Sequence, residues 1–281
     1  MLQPQQISLN RIAYPNIGLK DFLTLISELK LRNIELRNDL PGGQVTDGME
    51  AEQVCELTEQ YGISIITINA LQRFNLTDNL PRALEELEKL LTLAVSVHCP
   101  AIVLCPLNDS QDTRDPKRRF EETVYCLQQY KPMFAEAGVM GYLEPLGFQE
   151  SSLSSLITSQ KALAESGAHC YRLVHDTFHS HVGPDSLAGL EEELDIGLVA
   201  LIHASGVEVN LPRERYRDEH RGLVNQADRF ETLRQIEFLS RRGFVGPVSL
   251  EPFSRQIQTL PHDRFRKEMR LCIDYMLAGV H

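Results

Sequence analysis

Short apolar runs and longer amphipathic stretches alternate along the whole chain. The runs QISLNRI (6–12), NIELR (33–37), ISIITINAL (63–71), AIVLCPL (101–107), VMGYLEP (139–145), YRLVHDT (171–177), ALIHAS (200–205) and PVSLEPF (247–253) predict strands. Most are near-continuously apolar rather than alternating, as expected of parallel strands covered on both faces.

The stretches between them carry a helical period. In PRALEELEKLLTLAV (81–95), Leu84, Leu87, Leu91 and Ala94 share one face, and Glu85, Glu86, Glu88 and Lys89 fall mostly on the others. Asp228 followed by Glu231 has the spacing of a capping box ahead of RFETLRQIEFLSRRG (229–243). Gly62, Gly138, Gly167 and Gly243 each stand where a helix should stop before the next strand.

Eight strand–helix units in 281 residues predict an α/β fold, a (β/α)8 TIM barrel. An open doubly wound sheet would carry a Gly-rich phosphate turn after its first strand, and NRIAYPNIG contains none. No linker-like or low-complexity segment divides the chain, so residues 1–281 are expected to form a single domain.

Ionisable residues recur where four consecutive strands should end. They are Glu144 in YLEP, Asp176 in VHDTFH, His203 in LIHAS and Glu251 in SLEPF. One polar residue at a strand end is ordinarily a cap or a loop hydrogen bond. In a barrel, however, the C-terminal strand ends form a single rim, so these four should converge on one arc of it. Three carboxylates that close repel one another unless a cation sits among them. Three oxygen donors and an imidazole suit one divalent metal ion, with Mn²⁺ or Mg²⁺ favoured by the hard ligands and Co²⁺ or Zn²⁺ as alternatives.

The formal net charge of −11 opposes a duplex nucleic-acid partner, although Arg213, Arg215 and Arg217 could make a local basic patch. No apolar run has the length of a membrane span, and the opening MLQPQQISLN lacks a secretory pattern. A cytoplasmic location without membrane contact is the expectation. The six cysteines (55, 99, 105, 126, 170 and 272) are scattered without a CxxC pair and are read as reduced core residues.

The four segments YLEP (142–145), HDTFH (175–179), LIHAS (201–205) and VSLEPF (248–253) give the chain a family likeness. It resembles, over nearly its whole length, the xylose-isomerase-like barrels. That superfamily of sugar isomerases and epimerases includes inosose isomerase and dehydratase, ketose 3-epimerases, hydroxypyruvate isomerase and apurinic endonuclease. The resemblance implies that Glu144, Asp176, His203 and Glu251 bind the metal. It further implies substrate contacts from His179, three residues after the Asp, and from Glu150, six after the first metal Glu. Arg221 in DEHR (218–221) and Glu35 in IELR (34–37) are implied as further substrate contacts, and Arg37 lies beside the same pocket. The Gly- and Pro-containing segment that often follows the Arg is replaced here by GLVNQAD (222–228), which leaves the substrate open.

The expected activity is that of a metal-dependent sugar or keto-polyol isomerase or epimerase. It would work by proton transfer through a metal-stabilised enediolate, with Glu144 and Glu251 as acid and base on opposite faces of the substrate. An inosose or 3-dehydroshikimate-type dehydratase is the runner-up, because dehydration begins with the same proton abstraction. A non-catalytic sugar-binding barrel is the alternative of another class. The expected partner is a small sugar, keto-polyol or hydroxy-keto acid, with a homo-oligomer also in view. The endonuclease branch needs further histidines at the ends of strands three and four, and TINALQR (67–73) and LCPLNDS (104–110) have none. Among the other histidines, His175 should point away from the barrel axis, His181 should lie in a loop near substrate, and His98, His169, His262 and His281 should be peripheral.

Overall fold

In a computed structural model describing residues 2–279, eight parallel strands close into a barrel in the order β1 to β8. The strands are β1 (Ile7–Asn10), β2 (Asn33–Arg37), β3 (Ser64–Gln72), β4 (Ala101–Cys105), β5 (Met140–Leu143), β6 (Tyr171–Asp176), β7 (Val199–Ala204) and β8 (Val248–Leu250). The last pairing, β8 with β1, runs through Ser8–Ser249 and Leu9–Leu250 and removes both sheet edges. His281 lies outside the described residues.

All eight expected strands form, but several are shorter than their apolar runs. The final residues of the runs leave the ladder to build the rim, so Glu144 and Glu251 stand just beyond β5 and β8. That exit carries their side chains toward the barrel mouth.

The helices are α1 (Leu19–Glu28), α2 (Ala51–Tyr61), α3 (Leu80–Ser96), α4 (Pro116–Ala137), α5 (Leu156–Ser166), α6 (Thr177–Val182), α7 (Leu187–Glu193), α8 (Thr232–Arg241), α9 (Arg255–Gln258) and α10 (His262–Gly279). Their ends are written in the sequence. Asp115 and Ser155 accept backbone N–H groups in the first turns of α4 and α5. Gly62, Gly138 and Gly167 take the left-handed conformation that closes α2, α4 and α5. The inner face of α1 buries Phe22, Leu23, Leu25 and Ile26, each stabilising the fold by roughly 1.5–3 kcal/mol. On α3, Leu87, Leu91 and Ala94 are buried as expected. Leu84 is only half-buried, and Ala83 and Leu90 complete the face.

One cap differs from expectation. Helix α8 begins at Thr232 rather than Arg229, and Glu231 precedes it with a positive φ instead of closing a capping box. Asp228 does cap the helix, accepting Thr232 N at 2.8 Å. Its other oxygen takes Val207 N at 2.8 Å and Phe230 N at 3.1 Å. It therefore ties the loop after β7 to α8, work that a reciprocal Glu231 bond could not do.

Among the described residues no helix is long and apolar enough to cross a membrane.

Candidate metal centre

Each cluster residue is set by the strand that carries it. Asp176 ends β6 and also caps α6, accepting His179 N at 2.8 Å on Oδ1 and so leaving Oδ2 to face the cluster. In the register of β6, β7 and β8, Asp176 sits opposite His203 and His203 opposite Ser249. His203 thus lies between the ends of the strands that supply its acidic neighbours.

Glu144, Asp176, His203 and Glu251 each offer a ligand atom, and these atoms all lie within 4.8 Å of one another. His203 Nδ1 is 2.8 Å from Glu144 Oε1, 3.3 Å from Glu251 Oε2 and 3.9 Å from Asp176 Oδ2. All four residues are buried. Three buried carboxylates facing one imidazole cannot be left without positive charge, and this donor set can hold a divalent metal ion. Burial, followed by the charges of Glu251 and Asp176, pushes the Glu144 carboxyl above its ordinary range, against the pull of His203. Burial disfavours charge on His203, but Glu251, Glu35 and Glu144 overcome it and hold the bare imidazole protonated well above its usual range.

Two arginines complete the electrostatics. Arg221 Nη2 reaches Asp176 Oδ2 at 2.5 Å and Glu251 Oε2 at 2.6 Å, while Nη1 meets Asp218 at 3.2 Å and Nε meets Ser205 at 3.2 Å. Arg37 forks onto Asp39 with two bonds of 2.7 Å and donates a third, also 2.7 Å, to Glu251 Oε1. The Phe253 ring packs against both guanidinium groups, 5.4 Å from Arg37 and 4.6 Å from Arg221.

Above the cluster is a cavity of about 160 Å³, lined in part by Asn69, Gln72, Cys105, Asn108, Glu144, Phe148, His179, Arg221, Glu251 and Phe253. His179 is buried edge-on against Phe148 and Phe178 at 5.0 and 5.4 Å. Burial, helped by the Arg221 charge, lowers its pKa to about 3, so the ring is neutral. Among the described residues its Nδ1 has no hydrogen-bond partner.

Other expected site residues fall elsewhere. Glu35 is not on the cavity wall. It is fully buried beneath His203, taking Nε2 at 3.1 Å, Thr67 Oγ1 at 2.5 Å, Asn69 Nδ2 at 2.9 Å and Asn10 Nδ2 at 3.2 Å. Side chains from β1, β2 and β3 meet there inside the barrel, so no face of Glu35 is left for a ligand. Glu150 also stands off the cavity wall and faces Arg217 at 3.8 Å, on a segment that pairs with the loop after β4 through Asn108 and Ser151. His181 stacks on Phe230 with ring centres 3.8 Å apart and lines a separate surface depression. His175 packs on the outer side of the barrel, its Nε2 3.0 Å from Gln235 Oε1.

The sequence reading passed over Cys105, whose thiol donates to Glu144 Oε2 at 3.6 Å and is kept protonated chiefly by burial. It also passed over Asn10, which donates to both Glu35 and Glu251 Oε1. Their positions at the ends of β4 and β1 were the available signal.

The description "xylose isomerase-like TIM barrel" matches residues 23–275. The chain belongs to that family. A xylose isomerase domain containing protein from Salmonella typhimurium LT2 is 33% identical, superposes with a TM-score of 0.91, and aligns over 99% of each chain. The IOLI protein, solved with a bound zinc atom, is 19% identical, with a TM-score of 0.88 over 98% of this chain and 99% of its own. D-psicose 3-epimerase from Clostridium cellulolyticum H10 is 17% identical, with a TM-score of 0.75 over 98% and 99%. The last two likenesses, both under 25% identity, bear on fold alone. No curated relative matches the chain in sequence.

Proposed function

We propose that this xylose isomerase-like barrel is a divalent-metal-dependent isomerase or epimerase of a small hydroxy-ketone, a sugar or keto-polyol, working by proton transfer. The observation that carries this reading is the convergence of three carboxylates and one imidazole beside a small polar cavity that Glu144 and Glu251 line. The zinc atom in the IOLI protein and the sugar epimerases among the structural neighbours support it.

Glu144, Asp176, His203 and Glu251 would hold the ion, with Mn²⁺ or Mg²⁺ favoured by three oxygen donors and Zn²⁺ or Co²⁺ as alternatives. When bound, the ion supplies Lewis acidity that makes the C–H beside a carbonyl easier to ionise. The protein's own groups do the rest. Glu144 and Glu251 both line the cavity and come from different strands, so they can remove a proton at one position and return it at another. Neutral His179 and cationic Arg221 on the same wall orient substrate oxygens. Phe148 and Phe253 shield the reacting carbon from bulk water.

The test is turnover of a panel of ketohexoses, inososes, hydroxypyruvate and 3-dehydroshikimate by metal-loaded protein in deuterated water. Deuterium should enter the carbon next to the carbonyl of the true substrate. Loss of water from that substrate would move the assignment to a dehydratase. Absence of both exchange and elimination across the panel would overturn it.

A further inference from the structure

The charge pattern around the cavity carries information about the substrate that the ligand cluster alone does not. Both cavity arginines are already matched by carboxylates outside the cluster. Asp39 takes the Arg37 fork through two bonds of 2.7 Å, and Asp218 faces Arg221 Nη1 at 3.2 Å. With those pairs set aside, Glu144, Asp176 and Glu251 still exceed a divalent cation by one negative charge. Glu35, fully buried directly below, adds to the same field. No unmatched positive charge remains in this site to receive a carboxylate or a phosphate. The amides of Asn69, Gln72 and Asn108 on the same wall carry no charge and are suited to hydroxyl groups.

We propose that Asp39 and Asp218 are specificity-determining residues. By masking Arg37 and Arg221 they restrict the site to uncharged polyhydroxy ketones and exclude substrates that carry a carboxylate or phosphate. The proposal rests on the reading of the cavity as a substrate site and narrows it. Asp39 and Asp218 are both partly exposed, Asp218 at the edge of the cavity, and neither belongs to the four-residue cluster.

The test is calorimetric titration of metal-loaded wild-type, Asp39→Asn and Asp218→Asn proteins. The titrants are neutral ketohexoses and inososes, their phosphorylated counterparts, 3-dehydroshikimate and inorganic sulfate. Wild-type protein should bind neutral members and leave the anions unbound. Each variant should gain affinity for anions by roughly tenfold or more, with a much smaller change for the neutral ligands. Preferential binding of anions by wild type would overturn the proposal. So would folded variants whose anion affinity stays at the wild-type level. Deuterium exchange on the same samples separates this from the reaction. Neutral ligands that bind without exchange would sink the proton-transfer reading while leaving the charge selection standing.

Discussion

Glu35 receives His203 Nε2 at 3.1 Å, so the opposite nitrogen of the same ring, Nδ1, is the one that faces the acidic cluster. Burial alone would raise the Glu35 pKa. The His203 charge and hydrogen bonds from His203 and Thr67 outweigh it and bring the carboxyl down to about 2. A carboxylate behind a ligating imidazole fixes the ring and raises its basicity. Glu35→Gln should therefore lower metal affinity by about 10- to 100-fold while the protein stays folded. Calorimetric titration with Mn²⁺ and Zn²⁺ checks this. Wild-type affinity in a folded Glu35→Gln protein would leave Glu35 as packing only.

The cluster itself should hold one divalent ion per chain, measured by elemental analysis of protein dialysed after loading. Asp176→Asn removes a charge from the set and His203→Ala removes its only nitrogen donor. Each should weaken metal binding far more than it lowers the melting temperature, because the apolar layers of the barrel lie below the rim. Wild-type metal content in both variants would show that the ligands are other residues.

The rim was legible in the sequence for a physical reason. Parallel buried strands are apolar runs, so an ionisable residue at the end of such a run stands out, and barrel closure gathers the ends whatever their separation along the chain. That is how Glu144, Asp176, His203 and Glu251 could be read together. Glu35 also follows an apolar residue, yet its place beneath His203 depends on how β1, β2, β3 and β7 pack inside the closed barrel. No one-dimensional pattern records that packing. Glu150 faces Arg217 from a loop after β5, where spacing from Glu144 does not fix direction. Cys105 read as one more core cysteine because its run is apolar throughout. Only the fold shows its thiol against Glu144.

Metal binding should depend on pH in a defined direction. The His203 pKa is raised well above its ordinary 6.5 in the bare cluster. The stability contributed by the protonated ring is therefore complete below about pH 6.5 and is lost as pH climbs through the raised value. A divalent ion requires the unprotonated imidazole, so loading must expel a proton and affinity must rise with pH. Titrations in two buffers of different ionisation enthalpy will show the released proton as a difference in observed heat. Equal heats, corrected for dilution, would mean that the ring is already neutral.

Gly147 is a steric requirement of the site. A Cβ added there would lie 2.0 Å from the His179 carbonyl oxygen and 2.7 Å from Gly183 N, both backbone atoms of the segment that presents His179. Gly147→Ala should cost about 1–3 kcal/mol through overpacking and push α6 away from the cavity. Thermal melts and the KM of the true substrate report the two effects. An unchanged melting temperature would mean that the loop after β5 shifts freely.

The two proposed proton carriers are not equivalent. Glu251 is tied on both oxygens, by Arg37 and Asn10 at 2.7 and 3.1 Å on Oε1 and by Arg221 at 2.6 Å on Oε2. Among the described residues Glu144 has only His203 at 2.8 Å and the weakly donating Cys105 thiol at 3.6 Å, and its pKa is raised chiefly by burial. A carboxylate with fewer strong donors keeps more of its basicity, so Glu144 is the better base at the reacting carbon and Glu251 the more firmly anchored partner. Glu144→Gln should reduce solvent exchange by roughly 10²–10⁴-fold, and Glu251→Gln should reduce it by a smaller factor, with some substrate binding remaining in both. Cys105→Ser puts a stronger donor against Glu144 Oε2 and should slow exchange through kcat with little change in KM. Single-turnover reactions in deuterated water, followed by mass spectrometry of the product, measure all three variants. A product retaining all its original hydrogen would point to a hydride shift or shielded return. Full exchange in the Glu144→Gln protein would remove Glu144 from the chemistry and leave it a metal ligand alone.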